Sequence, residues 1–168
     1  ISRVHTVLAS RSGLVTVTGG KWTTYRAMAE DVLQKCVETG AWEPKAAGVT
    51  NQLPLVGTPT EAVRHRISDA PGMHSYGADA PQVAGLPGAS TALGGGLTEA
   101  MVRFAARFEY ARTVEDVLAR RSRMLFLDAR LALEVAPAVA KILREELGGD
   151  PQLPAFLALA PQYLRPEM

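Results

Sequence analysis

Apolar residues along the chain change their spacing from one stretch to the next, and each spacing predicts a different element. Residues 14 to 18, Leu-Val-Thr-Val-Thr, are rich in β-branched side chains and lie between Gly13 and the pair Gly19-Gly20. That composition and bounding predict a short strand that ends in a turn. From Thr23 the apolar positions Tyr25, Met28, Ala29, Val32, Leu33 and Cys36 recur at intervals of three and four, which predicts an amphipathic helix closed by Gly40. The opening unit therefore reads as strand, glycine turn, helix.

Periodicity then fades. Residues 43 to 60 contain Pro44, Gly48, Pro54, Gly57 and Pro59 and read as a connector with a brief extended piece at Leu53 to Val56. A weak helical signal covers Glu61 to Ile67. The stretch from Ser68 to Gly96 is dense in Pro, Gly, Ala and Ser, ends in Gly94-Gly95-Gly96, and predicts long loops with short helical turns at most.

Helical spacing returns in the second half. Thr98 to Tyr110 sets Met101, Val102, Ala105 and Phe108 on one face, and the Thr-x-x-Asp spacing of Thr113 to Asp116 can cap a new helix. Ser122 to Val135 continues with Leu125, Leu127, Leu131 and Leu133. Pro137 reads as a helix start, Gly148-Gly149 closes Ala138 to Leu147, and Asp150-Pro151 opens a last helix to about Leu164. The fold class that follows is mainly α, a multi-helix domain with a short β-strand, Gly-Gly turn and helix at its N-terminal end.

Composition narrows the class without naming a chemistry. The chain of 168 residues is 47% hydrophobic and 21% charged, which suits an ordinary globular protein with a core. A net charge of +1 gives no long-range field that would argue for nucleic acid. The lone Cys36 excludes an internal disulfide, lacks neighbours with zinc-ligand spacing, and fits a reducing, cytoplasmic setting. No apolar run is long enough to span a bilayer, and no signal peptide is visible. The opening Ile1-Ser-Arg-Val-His reads as a start inside a domain, so the chain is expected to be a piece of a longer protein.

The chemistry concentrates at the glycine turn. A strand that ends in two glycines and leads into a helix gathers free backbone N–H groups and the positive end of a helix dipole at one point. Gly19 and Gly20 admit close backbone approach, Lys21 adds a mobile cation, and Thr23 and Thr24 add hydroxyls. An anionic or electron-accepting ligand suits such a point; a plain tight turn with Lys21 solvated is the alternative. A phosphate-binding loop of nucleotide hydrolases would need Gly at position 15 and Ser or Thr at 22, where Val15 and Trp22 stand.

The run Ile1-Ser2-Arg3 followed by Ser12-Gly-Leu-Val-Thr-Val-Thr-Gly-Gly-Lys-Trp-Thr-Thr-Tyr-Arg-Ala-Met-Ala-Glu-Asp31 closely resembles the last strand and helix of the flavin domain in FAD-dependent glycerol-3-phosphate dehydrogenases. A second block, Ala111-Arg-Thr-Val-Glu-Asp-Val-Leu-Ala-Arg-Arg-Ser-Arg123, resembles the helical C-terminal domain of the same family, as do Tyr76-Gly77 and the helices after Leu125. The resemblance implies that residues 1–40 are the edge of an FAD-binding domain and 41–168 a helical C-terminal domain. It implies hydride transfer from C2 of sn-glycerol 3-phosphate to FAD, release of dihydroxyacetone phosphate, and electrons passed to quinone or, in oxidase relatives, to oxygen. Gly19, Gly20, Lys21, Trp22 and Thr23 would flank the pyrimidine side of the flavin, and Lys21 and Arg3 would hold the substrate. Val4-His5 stand where some members carry an acidic-aromatic pair. The dinucleotide-binding Gly-x-Gly-x-x-Gly unit and the catalytic base would lie in a missing N-terminal domain, so the chain alone is expected to be colourless and inactive.

Other residues carry blander readings. His5, His65 and His74 lie outside any motif; Cys36 reads as core. The arginines at 103, 107, 112, 120, 121, 123 and 130 interleave with Glu99, Glu109, Glu115 and Asp116 and read as solvated ion pairs rather than an RNA-binding surface. The leucine faces after Leu125 and the stripe Leu157-Ala-Leu159 read as core that could also pack on a second subunit or on the flavin domain. Quinone-reducing relatives work at a membrane surface, but no helix here joins a basic face to a wholly apolar one. Two further classes stay open: a non-catalytic helical module for docking or dimerisation, and a piece of a flavoenzyme acting on an amine or amino acid.

Overall fold

The computed structural model describes residues 4–59 and 69–164. The chain forms two compact units, Ile1–Leu55 and Val56–Met168. Arg3, His65 and the helical signal at Glu61 to Ile67 lie outside the described residues.

The first unit is a hairpin and a helix. Strands β1 (His5–Ala9) and β2 (Val15–Gly19) pair antiparallel with His5 opposite Gly19 and Ala9 opposite Val15. β1 has no strong alternation of apolar and polar residues, because His5 takes an inward position while Leu8 points out and is 58% exposed. A 3-10 turn, Trp22–Thr24, precedes helix α1 (Tyr25–Glu38), so the regular helix starts two residues after the expected Thr23. It ends at Thr39 with Gly40 in the left-handed region, as the glycine predicts. No strand forms at Leu53 to Val56. None of this unit's described residues is buried, and Cys36 is half-buried rather than core.

The second unit is mainly helical. A 3-10 run, Met73–Asp79, leads into α2 (Ala80–Ala84). The three glycines at 94 to 96 all have positive φ and turn a small hairpin between β3 (Ala92–Gly94) and β4 (Leu97–Thr98), which their loop-like composition hides. Helix α3 (Glu99–Phe108) is N-capped by Thr98, whose hydroxyl accepts from Met101 N–H. Its buried face is Ala100, Met101, Val102, Phe104, Ala105 and Ala106; Phe108, expected on that face, is 55% exposed and rests its ring against Phe104.

The Thr113 to Asp116 cap forms as its spacing predicts. Thr113 Oγ1 accepts from Asp116 N–H at 3.1 Å, and Asp116 Oδ2 accepts from Thr113 N–H at 3.0 Å. The turn that follows, Asp116–Arg121, is π-helical. Arg123 at φ 61 separates the π-helical turn from α4 (Met124–Leu127), and Asp128, extended at φ -151 and ψ 86, divides the single helix expected from Ser122 to Val135 into α4 and α5 (Ala129–Leu147). Asp128 begins α5 by accepting from Leu131 N–H at 3.0 Å.

Pro137, expected at a helix start, lies inside α5. Its neighbours explain this: Val135, Ala136, Val139 and Ala140 are all buried, and their packing carries the helix past a residue that cannot donate to Leu133. Gly148 at φ 68 closes α5. Helix α6 (Leu153–Leu159) and a 3-10 turn, Ala160–Tyr163, complete the unit; Phe156 is its buried anchor, while Leu157 of the expected apolar stripe is 39% exposed. Leu127 is likewise 73% exposed, so only part of each leucine face serves the core. α3 packs on α5, and the core residues of this unit run from Val83 to Ala160.

Candidate functional site

The residues picked out in the sequence as ligand-facing, other than Arg3, sit together at the junction of β2 and α1. Gly19 and Gly20 have φ of 78 and 86, a region that L-residues with side chains adopt at a cost. Crowding adds to this, firmly at Gly19, where the neighbour is backbone, and less at Gly20, where it is the flexible end of Met28. A Cβ on Gly19 would lie 2.8 Å from the carbonyl oxygen of Val4, and one on Gly20 would lie 2.5 Å from Met28 Sδ. The turn is therefore folded tightly between β1 and α1.

Lys21 follows in an extended conformation and leads directly into the 3-10 turn. Its carbonyl accepts from both the N–H and the hydroxyl of Thr24, each at 3.1 Å, so Thr24 closes the turn instead of capping the helix. Neither the 3-10 turn nor α1 has a side-chain cap, and neither carries an acidic residue in its first turn. The positive end of α1 is thus left uncompensated by any acidic side chain of its own. Lys21, Trp22 and Thr23 are exposed; Trp22 is 87% so, with its ring 5.8 Å from that of Tyr25. A bare indole, an exposed lysine and an uncapped helix start beside two glycines suit a planar anionic or electron-accepting ligand laid against the backbone.

Next to this turn stands a residue that sequence reasoning set aside. His5 Nε2 donates to Asp31 Oδ2 at 2.6 Å, linking β1 to α1 across the sheet-helix junction. Its only sequence signal was position, opposite Gly19 in the hairpin register, which could not be read without β1.

The second sequence block serves structure. Asp116 accepts from the N–H groups of Arg112 and Thr113 and from Arg120. Burial works to raise its pKa, but these donors outweigh it and hold the carboxyl below its ordinary value. Arg121 donates to the carbonyls of Asp116 and Glu109 and pairs with the Glu109 carboxylate at 3.6 Å. Among the other arginines, Arg103, Arg107 and Arg120 follow the ion-pair reading, whereas Arg112 and Arg123 face aromatic rings. Arg103 and Arg107 of α3 meet Glu145 and Glu146 of α5, and Arg112 stacks on Tyr110 at 4.1 Å.

A cleft of about 710 Å³ lies wholly within the helical unit and is lined by His74, Tyr76, Asp79, Glu109, Arg121 and Arg123, among others. His74, which lies outside any sequence motif, is partly buried in its wall. Burial, and then the Glu109 carboxylate, push the Tyr76 phenol up to about 12. Burial likewise raises Glu109; Arg121 opposes this and Asp79 adds to it. With Arg121 engaged by Glu109 and three carboxylates, Asp69, Asp79 and Glu109, on the lining, the cleft does not suit an anionic substrate. Among the described residues no group of three or more His, Cys, Asp or Glu side chains could hold a metal ion, and no helix is long and apolar enough to cross a membrane.

Comparison with known proteins shows the family. Residues 15–153 match the model of the C-terminal domain of alpha-glycerophosphate oxidase. A mitochondrial glycerol-3-phosphate dehydrogenase of Arabidopsis thaliana is 35% identical over 182 residues, covering 87% of this chain and 28% of the relative. A probable mitochondrial glycerol-3-phosphate dehydrogenase of Dictyostelium discoideum is 35% identical, with 85% of this chain and 25% of the relative covered. The human mitochondrial glycerol-3-phosphate dehydrogenase is 34% identical over 89% of this chain and 23% of its own length. The chain thus spans about a quarter of the length of these relatives. No solved structure matches.

Proposed function

On the footing that this chain belongs to the glycerol-3-phosphate dehydrogenase and alpha-glycerophosphate oxidase family, we propose that it is the C-terminal part of an FAD-dependent enzyme that oxidises sn-glycerol 3-phosphate to dihydroxyacetone phosphate. Residues 1–40 form the last edge of its flavin domain, residues 41–168 its helical C-terminal domain. The observation that carries this reading is the turn at Gly19-Gly20, where left-handed backbone, crowded Cβ positions and an uncapped helix start coincide beside Lys21.

These residues fit a flavin. Both glycines permit the tight left-handed turn that leads into α1, and no acidic side chain in the first turn of α1 would repel the negative charge of a reduced ring. When bound, FAD supplies the redox chemistry by accepting the hydride from C2 of the substrate. Gly19, Gly20, Lys21, Trp22 and Thr23 would hold its pyrimidine side, with backbone N–H groups and the positive end of α1 aimed at that edge. The Lys21 ammonium, exposed on an extended residue, binds substrate oxygen, and Arg3 serves the phosphate through its forked donors. The remainder of the flavin domain, with the dinucleotide-binding unit and the base, is the required partner; quinone is the electron acceptor. Cys36, unpaired and half-buried, supports a reducing, cytoplasmic setting, with the parent held peripherally at the membrane that carries the quinone.

Lys21 tests the proposal. In the full-length parent, Lys21→Ala removes one charge-assisted hydrogen bond worth about 1.5–3 kcal/mol. The expected fall in kcat/KM for glycerol 3-phosphate is about 10- to 100-fold. Steady-state kinetics equal to the wild type would overturn the assignment.

A further inference from the structure

The pair His5–Asp31 has no part in the reading given so far, yet its place in the fold ties it to the glycine turn. His5 is opposite Gly19 in the β1–β2 register. The His5 Cβ lies 3.2 Å from where a Cβ of Gly20 would stand, and Met28 Sδ of α1 lies 2.5 Å from the same point. Gly20 is thus held between one residue of β1 and one of α1. Asp31 is one turn beyond Met28 on α1, and its Oδ2 receives the His5 Nε2 proton at 2.6 Å. An ionised carboxylate only accepts, so the bond also fixes the imidazole tautomer with its proton on Nε2. The His5 side chain is 22% exposed and that of Asp31 59%, so the bond lies at the rim of the junction, where it can close over the turn without filling a core.

We infer that His5 and Asp31 are a positioning pair: by joining β1 to α1 across Gly20, they fix the direction in which the Gly19–Thr23 backbone and the start of α1 face the ligand. The inference rests on the flavin-site reading and adds to it residues that touch neither flavin nor substrate. None of the first unit's described residues is buried to hold the hairpin against α1, so a polar link across the junction bears on the geometry of the turn more than it would over a packed core. Releasing it lets β1 and α1 move apart at Gly20 and blurs the aim of the turn's N–H groups.

The test uses the full-length flavoprotein with His5→Phe, Asp31→Leu, the double variant and the conservative Asp31→Asn, which still offers an oxygen to Nε2–H. His5→Phe and Asp31→Leu should each lower kcat/KM per bound flavin about tenfold. The double variant should lose no more than either single one, because the two residues act through one bond. Asp31→Asn should recover most of the loss. Sulfite affinity of the oxidised flavin, which reports charge stabilisation at the pyrimidine side, should fall in the same order. In this 168-residue chain, Asp31→Leu should speed amide exchange at Gly20 to Thr23. A pair that merely supported the fold would lower flavin content and Tm but leave per-flavin kinetics and sulfite affinity at wild-type values, and that result overturns the inference, as would additive losses in the double variant. Lys21→Ala in the same background separates the two levels. If it is silent, the flavin-site reading fails and this inference with it; if it is impaired while the His5 and Asp31 variants are not, only the inference fails.

Discussion

Glu146 shows how much a single carboxylate can organise here. Its side chain is 8% exposed and takes Arg103 Nη1 at 2.7 Å and Arg107 Nε at 2.6 Å, so one residue of α5 binds two turns of α3. The hydrogen bond from Arg107 holds its pKa below the ordinary 4.5; burial opposes this and Arg103 reinforces it. A carboxylate with a depressed folded pKa contributes stability that is present above its unfolded value and is lost as pH falls through the folded one. Glu146→Gln should therefore lower stability at neutral pH by about 2 kcal/mol, less than for a fully enclosed pair because Arg107 is 42% exposed. It should also flatten the loss of stability below pH 4.5. Urea melts at neutral and acid pH check both; an unchanged acid limb would show that Glu146 does not govern it.

α5 is the element in which local rule and tertiary packing disagree most openly. Pro137 is exposed, so replacing it gives up little packing, whereas an alanine in its place could donate to the Leu133 carbonyl. Pro137→Ala is expected to stabilise the chain by about 1–3 kcal/mol, the helix-interior penalty of proline less the entropy it removes from the unfolded chain. A Tm that stays the same or falls would mean that α5 bends at this residue in a way its neighbours require. Elements of this kind mark the limit of what was legible in the sequence. The α1 periodicity, the cap at Thr113 and the stop at Gly148 are local signals, and each appears within two residues of where the sequence placed it. β1, the β3–β4 hairpin, the break at Asp128 and the passage through Pro137 leave no such signal, and the last depends on packing with residues distant in sequence. Composition alone misreads them. The glycine turn was legible because glycine is the one residue whose geometry announces itself. His5 was not, since its meaning comes from a register and a helix 26 residues away.

Across the whole molecule, burial is divided unevenly between the two units. The apolar core lies between Val83 and Ala160, and no described residue before it is buried. A two-stranded hairpin with one helix is marginal in water, whereas α3 and α5 pack as the centre of a domain. Native-state hydrogen exchange should give α3 and α5 amides protection near the global unfolding free energy, and β1, β2 and α1 amides protection lower by orders of magnitude. Equal protection in both units would mean that they unfold as one.

The exposure of Trp22 has a practical side. The chain holds two tryptophans, Trp22 at 87% exposure and Trp42 at 45%, and both belong to the unit Ile1–Leu55. Indole emission therefore comes wholly from the unit that carries the glycine turn, while the helical signal in circular dichroism comes mostly from the other. Anything that covers the turn, a flavin, an anion or a protein surface, changes the surroundings of an indole one residue from Lys21. The molecule carries a built-in optical probe at its proposed site, and the helical unit is dark at that wavelength.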